Sequence, residues 1–371
     1  MSKAAELAKM GEVLTNSQIG GRRNIIINGA MNVAQRGTSS TGLGASTGYF
    51  TVDRVQSGHS GNSAGRYTMT QEAITDLGGF KNAIKLACTT ADTSIASNEW
   101  EYLAYNIEAQ DLQALKFGTS DAEKFTLSFF VKGNASATYT LGAYLPDSNR
   151  WMAQTFSVTT SFTRVSLTWE ADTSGTINDD NGPGLIFYIT LQAGSDRTSG
   201  SIPSTWETLS AGDTADSSQT QFFDSTSRTL FITGLQMEVG STATPFEHRS
   251  FGEELALCQR YLNIFGKSET GNNYENFGTV VAFGTGNGDR RMQMTMPTTM
   301  RAIPTVTHSG DFACLGQVVF GSSITIALAD GGSKTIIGLN LTGTQGDTVG
   351  DVSPFRSNND ADAFISFDAE L

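Results

Sequence analysis

The sequence predicts a mainly β chain folded as an antiparallel β-sandwich, and three observations carry that prediction. The first is composition. Among 371 residues there are 40 glycines, seven prolines and few charges, the profile of many short strands joined by tight turns. The second is period-2 alternation, clear in Phe125-Thr126-Leu127-Ser128-Phe129 and in Val165-Ser166-Leu167-Thr168-Trp169. The third is regular spacing, with strand candidates separated by Gly, Asn and Ser turns. Phenylalanine, with 22 copies, is the aromatic that suits sheet faces packed on each other.

In chain order, residues 2–15 read as a short N-terminal helix. Ser2 caps it, and Ala4, Leu7, Gly11 and Leu14 recur at 3-4-3 spacing with Met10 and Val13 alongside. Two heptads or fewer are marginal alone in water, so such a helix needs copies of itself or a socket on another protein. The alternative is a frayed terminus. Residues 15–21 form a flexible linker.

From Asn24 the pattern becomes β. Ile25-Ile26-Ile27 ends in an Asn28-Gly29 turn, which requires positive φ. Strands are predicted at 65–73, 82–90, 99–107, 124–132, 137–145, 151–158, 162–170, 184–193 and 228–238. A short helical crossing is expected over 107–115. Residues 194–227 read as a polar loop excursion.

Ser250-Phe251-Gly252-Glu253 has the form of a capping box. The helix it starts, over 250–266, places Phe251, Leu255, Cys258, Leu262 and Phe265 at 4-3-4-3 spacing, with Gly266 as its left-handed stop. That stripe either packs on a sheet or forms a three-helix seam. Residues 267–371 form a second β unit, with strands expected at 280–283, 292–296, 324–328, 336–339 and 364–367. The domain boundaries are therefore 1–21, 22–249, 250–266 and 267–371.

Several function classes are disfavoured. A formal net charge of −13 without any basic stripe argues against a nucleic-acid partner. Cys88, Cys258 and Cys314 lie far apart without a CxxC or Cys/His cluster, which speaks for reduced, buried thiols and against zinc. No apolar leader stands at the N-terminus and no run approaches a membrane span. Three histidines, none beside a nucleophile motif, give no Ser-His-Asp or Cys-His signature. Gly284-Thr285-Gly286-Asn287-Gly288 sits between strands and reads as a turn, not a phosphate loop. No cofactor and no metal are expected; Asn178-Asp179-Asp180-Asn181-Gly182 departs from EF-hand spacing and reads as a polar turn.

Two signatures bracket the first β region. One runs from Arg23-Asn24-Ile25-Ile26-Ile27-Asn28-Gly29-Ala30-Met31-Asn32 to Gln35-Arg36-Gly37. The other is Leu235-Gln236-Met237-Glu238-Val239-Gly240, continuing to Thr244-Pro245-Phe246-Glu247-His248-Arg249, with Glu254-Leu255-Ala256-Leu257-Cys258-Gln259-Arg260-Tyr261 directly after it. Together, over residues 22–265, they resemble a family of bacteriophage tail-fibre and virion-surface proteins carrying a carbohydrate-binding-like jelly roll. The resemblance implies a jelly-roll sandwich over 22–249 and a homotrimer displayed on a virion surface. It also implies contact with other tail or capsid proteins and a host-surface glycan as a possible ligand. Ala4, Leu7, Met10 and Leu14 are then candidates for the virion anchor, and Phe251, Leu255, Cys258, Leu262 and Phe265 for the trimer seam. Residues 300–306 and 367–371 resemble, more loosely, the C-terminal knobs of phage tail proteins.

Sugars are held by aromatic faces backed by amide, carboxylate and guanidinium hydrogen bonds. Trp100, Trp151, Trp206 and Tyr144 are the candidate platforms, each also explicable by packing. Trp151 and Trp206 rank first, because one follows a polar turn and the other lies in the loop excursion. Trp169 continues an alternating strand and is expected in the core. Arg36, Asp53, Arg54, Glu238, Glu247 and Arg249 are expected to fasten the first segments to the last. Two other readings remain open. One is a purely structural virion protein, such as a head decoration or tail adaptor without glycan binding. The other is a carbohydrate-active enzyme, which would need two carboxylates flanking a groove.

Overall fold

The computed structural model describes residues 3, 23–61, 63–268, 271–283, 290–314, 318–321, 324–329, 332–343 and 349–371. It divides into two compact units, Met1–Glu254 with Leu371, and Leu255–Glu370. Both are built from antiparallel sheets. No helix among the described residues is long and apolar enough to cross a membrane. The predicted N-terminal helix, with Ala4, Leu7, Met10 and Leu14, lies outside the described residues.

The first unit contains β1 (Ser39–Leu43), β2 (Gly48–Tyr49), β3 (Gln56–Ser60), β4 (Arg66–Ala73), β5 (Asn82–Thr90), β6 (Trp100–Glu108) and β7 (Phe125–Gly133). It continues with β8 (Ala137–Leu145), β9 (Arg150–Val158), β10 (Thr163–Trp169), β11 (Pro183–Ala193), β12 (Glu207–Thr208) and β13 (Thr229–Val239). A six-stranded sheet runs β1-β4-β5-β13-β7-β10, and a seven-stranded sheet runs β12-β9-β8-β11-β6-β3-β2. The nine predicted strands of this region all form, within a residue or so at each end. The crossing after β6 is a 3-10 helix, Ala109–Leu115, whose Leu112 and Leu115 are buried.

The two inner sheet faces meet in one core. Phe125, Leu127, Phe129 and Val131 of β7 face Leu103, Leu141, Phe187 and Ile189 across it. Trp169 is fully buried and stacks on Phe125 with centroids 5.3 Å apart. This is the expected product of alternation, since every second residue of a half-buried strand points inward.

The bracket segments meet as the sequence predicts. Ile25 N–H donates to the Met237 carbonyl and Leu235 N–H to the Gly29 carbonyl. The buried Asn24 side chain donates to the Leu235 carbonyl and accepts from Met237 N–H. Asn28 takes φ 59° at the turn, and its amide bridges Val33 and the Asp53 carbonyl. Arg249 pairs with Glu254 at 3.2 Å and donates to the carbonyls of Asn24 and Ile26. Glu247 caps the backbone amides of Arg23 and Asn24. The charges of the second bracket thus satisfy backbone groups of the first, which lacks a regular ladder there.

The second unit contains β14 (Leu262–Gly266), β15 (Asn276–Ala282), β16 (Arg290–Thr295), β17 (Thr305–Ser309), β18 (Phe312–Cys314), β19 (Val318–Gly321), β20 (Thr325–Leu328), β21 (Ile336–Thr342), β22 (Val352–Ser357) and β23 (Phe364–Asp368). They form a three-stranded sheet, β14-β23-β17, and a seven-stranded sheet, β19-β18-β22-β15-β16-β21-β20. The core holds Met292, Met294, Met296 and Met300 with Phe312, Phe355 and Phe367.

One sequence expectation is corrected here. The helix predicted over 250–266 stops after two turns, at Phe251–Cys258. Its start is as expected, with Glu253 N–H donating to Ser250 Oγ at 3.3 Å. After the turn closed by Tyr261 N–H on the Cys258 carbonyl, Leu262–Gly266 pairs with β23 along its whole length. Ladder bonds and burial outweigh a helical period of only five apolar residues. Phe251, Leu255 and Cys258 therefore lie on a helix, whereas Leu262 and Phe265 lie on a strand, and no single helical seam joins the five. Phe251 is exposed, and Cys258 and Leu262 are buried within their own chain. Gly266 does take positive φ, but at a strand end. All three cysteines are free and buried, as expected.

Candidate functional site

β6 alternates from its first residue. Leu103, Tyr105 and Ile107 enter the core, so Trp100 and Tyr102 stand on the opposite face of the seven-stranded sheet. On the neighbouring β11, Leu185, Phe187 and Ile189 enter the core and Tyr188 stands outside with them. Register does the rest: Tyr102 pairs with Thr190, and Tyr188 pairs with Ala104 on one side and Gly142 on the other.

The three rings form a compact cluster. Centroids are 4.3 Å apart for Trp100–Tyr102, 5.1 Å for Trp100–Tyr188 and 5.0 Å for Tyr102–Tyr188. All three residues are half-buried. The Arg197 guanidinium lies 4.9 Å from the Trp100 ring, held there by the short helix Ser195–Thr198 at the start of the excursion. Trp100 Nε1 donates to Thr190 Oγ1 at 3.1 Å, which fixes the indole plane.

Glycines on adjacent strands leave room for aromatic rings over this face. A Cβ at Gly58 would fall 2.3 Å from the Tyr102 ring, and one at Gly142 would fall 1.8 Å from the Trp151 ring. Any side chain at either position would lift an aromatic off the sheet. Burial pushes the Tyr102 and Tyr188 phenols up, so both stay neutral and able to donate and accept.

Of the four platforms expected from sequence, the structure brings Trp100 into this cluster and places Tyr144 on the same face. Tyr144 pairs through β8 with Ile186 and is half-buried, its hydroxyl bonded to Asn149 Oδ1 at 3.1 Å. The two ranked first are corrected. Trp151 is 1% exposed, covered by the excursion, with Nε1 donating to the Asp213 carbonyl. Trp206 packs in the sandwich core against Phe117 and donates to the Glu170 carbonyl. Polar flanking sequence was misleading for both, because residues 194–227 fold back over the sheet instead of extending from it. Asp216 N–H donates to Thr140 Oγ1 and Thr220 N–H to the Thr138 carbonyl.

Tyr102, Tyr188 and Arg197 were not singled out from sequence. The signal for the two tyrosines was present: each sits between core-facing residues of an alternating strand. Arg197 gave none, since its position depends on how the loop docks.

The two carboxylates beside Trp100 in sequence share the core-facing parity of Leu103 and Tyr105. Glu99 and Glu101 flank Trp100, but both are buried. Glu99 accepts from Ala96 N–H and the Gln192 amide. Burial pushes the Glu101 carboxyl up to about 9, against the opposing influence of Arg66 and with that of Glu99. Both Glu101 oxygens lack a hydrogen-bond partner among the described residues. The turn at 178–182 is tied by Asp147 to Asn178 and by Asp180 to Gly182. Among the described residues no group of three or more His, Cys, Asp or Glu side chains could hold a metal ion.

The chain matches no protein-family model and no curated protein. Among solved structures it is similar to an arabinose-bound GH51 α-L-arabinofuranosidase, at 10% identity and TM-score 0.31, over 60% of this chain and 27% of that one. It thus spans about a quarter of that enzyme's length. It is also similar to a CBM4 module, at 10% identity and TM-score 0.28, over 57% of this chain and 97% of that one. A third is the CBM61 module solved with β-1,4-galactotriose, at 8% identity and TM-score 0.28, over 59% of this chain and 99% of that one.

Proposed function

We propose that this chain is a bacteriophage virion-surface protein, of tail-fibre or receptor-binding type. Its first β-sandwich binds a host-surface glycan without turning it over. The observation that carries the binding reading is the Trp100–Tyr102–Tyr188 cluster with Arg197 over it. Clustered aromatic rings, tilted 41° to 83° to one another and flanked by phenol and guanidinium donors, suit a pyranose, which has one apolar C–H face and a hydroxyl rim. The buried state of Glu99 and Glu101 supports binding over hydrolysis, because a glycosidase needs two carboxylates open to the scissile bond. The virion assignment rests on the paired bracket signatures and their resemblance to phage surface proteins. With it come a homotrimer and attachment through residues 1–21.

Binding is tested by titrating immobilised host-envelope polysaccharide with wild type and Trp100→Ala. The expected result is at least a tenfold loss of affinity in the variant, with an unchanged thermal transition. Equal binding by both proteins contradicts the site. Virion location is tested by imaging intact particles with antibody raised against the chain. Incorporation of a protein lacking residues 1–20 at normal stoichiometry contradicts attachment through the N-terminus.

A further inference from the structure

The second unit contains a cleft that its sheet topology builds. β15 and β16 pair only at Val281–Arg291 and Ala282–Arg290. Beyond that point the two strands are no longer paired with each other, while each keeps its outer neighbour, β15 with β22 and β16 with β21. On its other edge β15 carries a register shift against β22 between Asn276 and Gly278, where Gly278 takes φ 147°. A side-chain-bearing residue would be strained in that conformation, so the bulge that re-aims the start of β15 depends on glycine.

The space opened by this parting has a volume of about 270 Å³. Phe265 of β14 and Phe277 of β15 supply its aromatic wall. Both rings are braced from behind, Phe265 edge-on to Phe367 at 5.7 Å and Phe277 against Phe312 at 5.5 Å and Phe355 at 5.7 Å. Glu275, Asn276, Gln293 and Thr295 supply the polar rim. Gln293 and Thr295 are successive outward residues of β16, and both are exposed together with Asn276.

We infer that this cleft is a second ligand site, which takes a single neutral or amine-bearing pyranose unit. Braced aromatic rings serve an apolar C–H face and hold their positions before the ligand arrives. Two amides, a hydroxyl and a carboxylate supply both donors and acceptors to a hydroxyl rim. The volume lies just below the usual range of ligand pockets, which begins at about 300 Å³, and fits one ring better than a chain. Glu275 is the one charged residue of the lining, so an acidic sugar or a phosphate is repelled and an amino sugar is favoured. The site is independent of the aromatic face in the first unit and stands or falls separately from it.

Ligand-observed saturation-transfer NMR on the full chain tests it, with methyl glucoside, glucosamine and glucuronate as probes. All measurements use Trp100→Ala protein, which removes the first site. Saturation transfer to methyl glucoside and glucosamine at about 10 mM, with none to glucuronate, is the expected result for a millimolar site. Gln293→Trp fills the cleft from an exposed position and is expected to abolish both signals. Glu275→Gln is expected to weaken glucosamine about tenfold and methyl glucoside less than threefold. Absence of transfer to either sugar overturns the inference. So does transfer that survives Gln293→Trp, or a preference for glucuronate.

Discussion

The two β units solve the same packing problem with different side chains. The first fills its sandwich with aromatic rings: Phe125, Phe129, Phe187, Trp169 and Trp206 interlock, with Tyr67, Phe222 and Phe223 beside them. The second relies on four methionines and aliphatic residues around a smaller aromatic group. It also carries seven of the eight large apolar side chains exposed among the described residues, including Val281, Phe283, Val349 and Val352. Rigid rings specify one arrangement and leave little apolar surface outside. Methionine adapts to irregular space and specifies less. The comparison teaches where each unit tolerates change.

The largest expected effect is in the first core. Trp169→Ala removes a fully buried indole stacked on Phe125 and is expected to cost about 3–5 kcal/mol of unfolding free energy. Chemical denaturation monitored by near-UV circular dichroism measures it. Met294→Leu in the second core is the counterpart and is expected to cost less than about 1.5 kcal/mol. A reversed ranking breaks the comparison.

Next is the bracket. Arg249→Ala leaves the Glu254 carboxylate buried without its guanidinium partner and frees the carbonyls of Asn24 and Ile26. The expected cost is about 3–5 kcal/mol, read from the same denaturation curves. A loss below about 1 kcal/mol would show that the guanidinium adds little to the fastening by Glu247, Asn24 and backbone pairing.

A smaller effect comes with a pH dependence. The unfolded Glu101 carboxyl ionises near 4.5, whereas in the folded chain it holds its proton up to about 9. The folded state therefore binds more protons between these values. Its contribution to stability is fully present below the lower value and is lost as pH rises toward the higher one. Glu101→Gln, which keeps the shape and cannot ionise, is expected to stabilise the protein by about 1–3 kcal/mol at pH 8 and to change little at pH 4. Melting curves across that range check the sign. The smallest effect is at the surface: Lys116→Ala breaks an exposed pair with Glu123 and is expected to cost less than about 1 kcal/mol.

The strands of the first unit were legible because alternation and turn residues act locally. The closure of Ile25 on Met237 was legible because both brackets carry their own turn and charge signals. The short elements were not. β1 and β3 hold polar and glycine residues whose pairing is decided by partners far along the chain. Leu262–Gly266 was misread because its apolar spacing fits a helix as well as a strand, and only β23, about a hundred residues later, decides between them. Of the four aromatics expected at the surface, Trp100 and Tyr144 are half-buried on the outer face and Trp151 and Trp206 are buried, for one reason. Whether an aromatic faces solvent or lies under a loop depends on loop docking, which leaves no periodic trace.

The central claim is that the aromatic face of the first sandwich binds glycan. Tyr188→Ala tests it most directly, because Tyr188 touches both other rings and lies outside the core. The measurement is the equilibrium affinity of purified wild type and variant for host-envelope polysaccharide, at matched thermal stability. The account predicts a loss of at least tenfold. Undiminished affinity in the folded variant would contradict it.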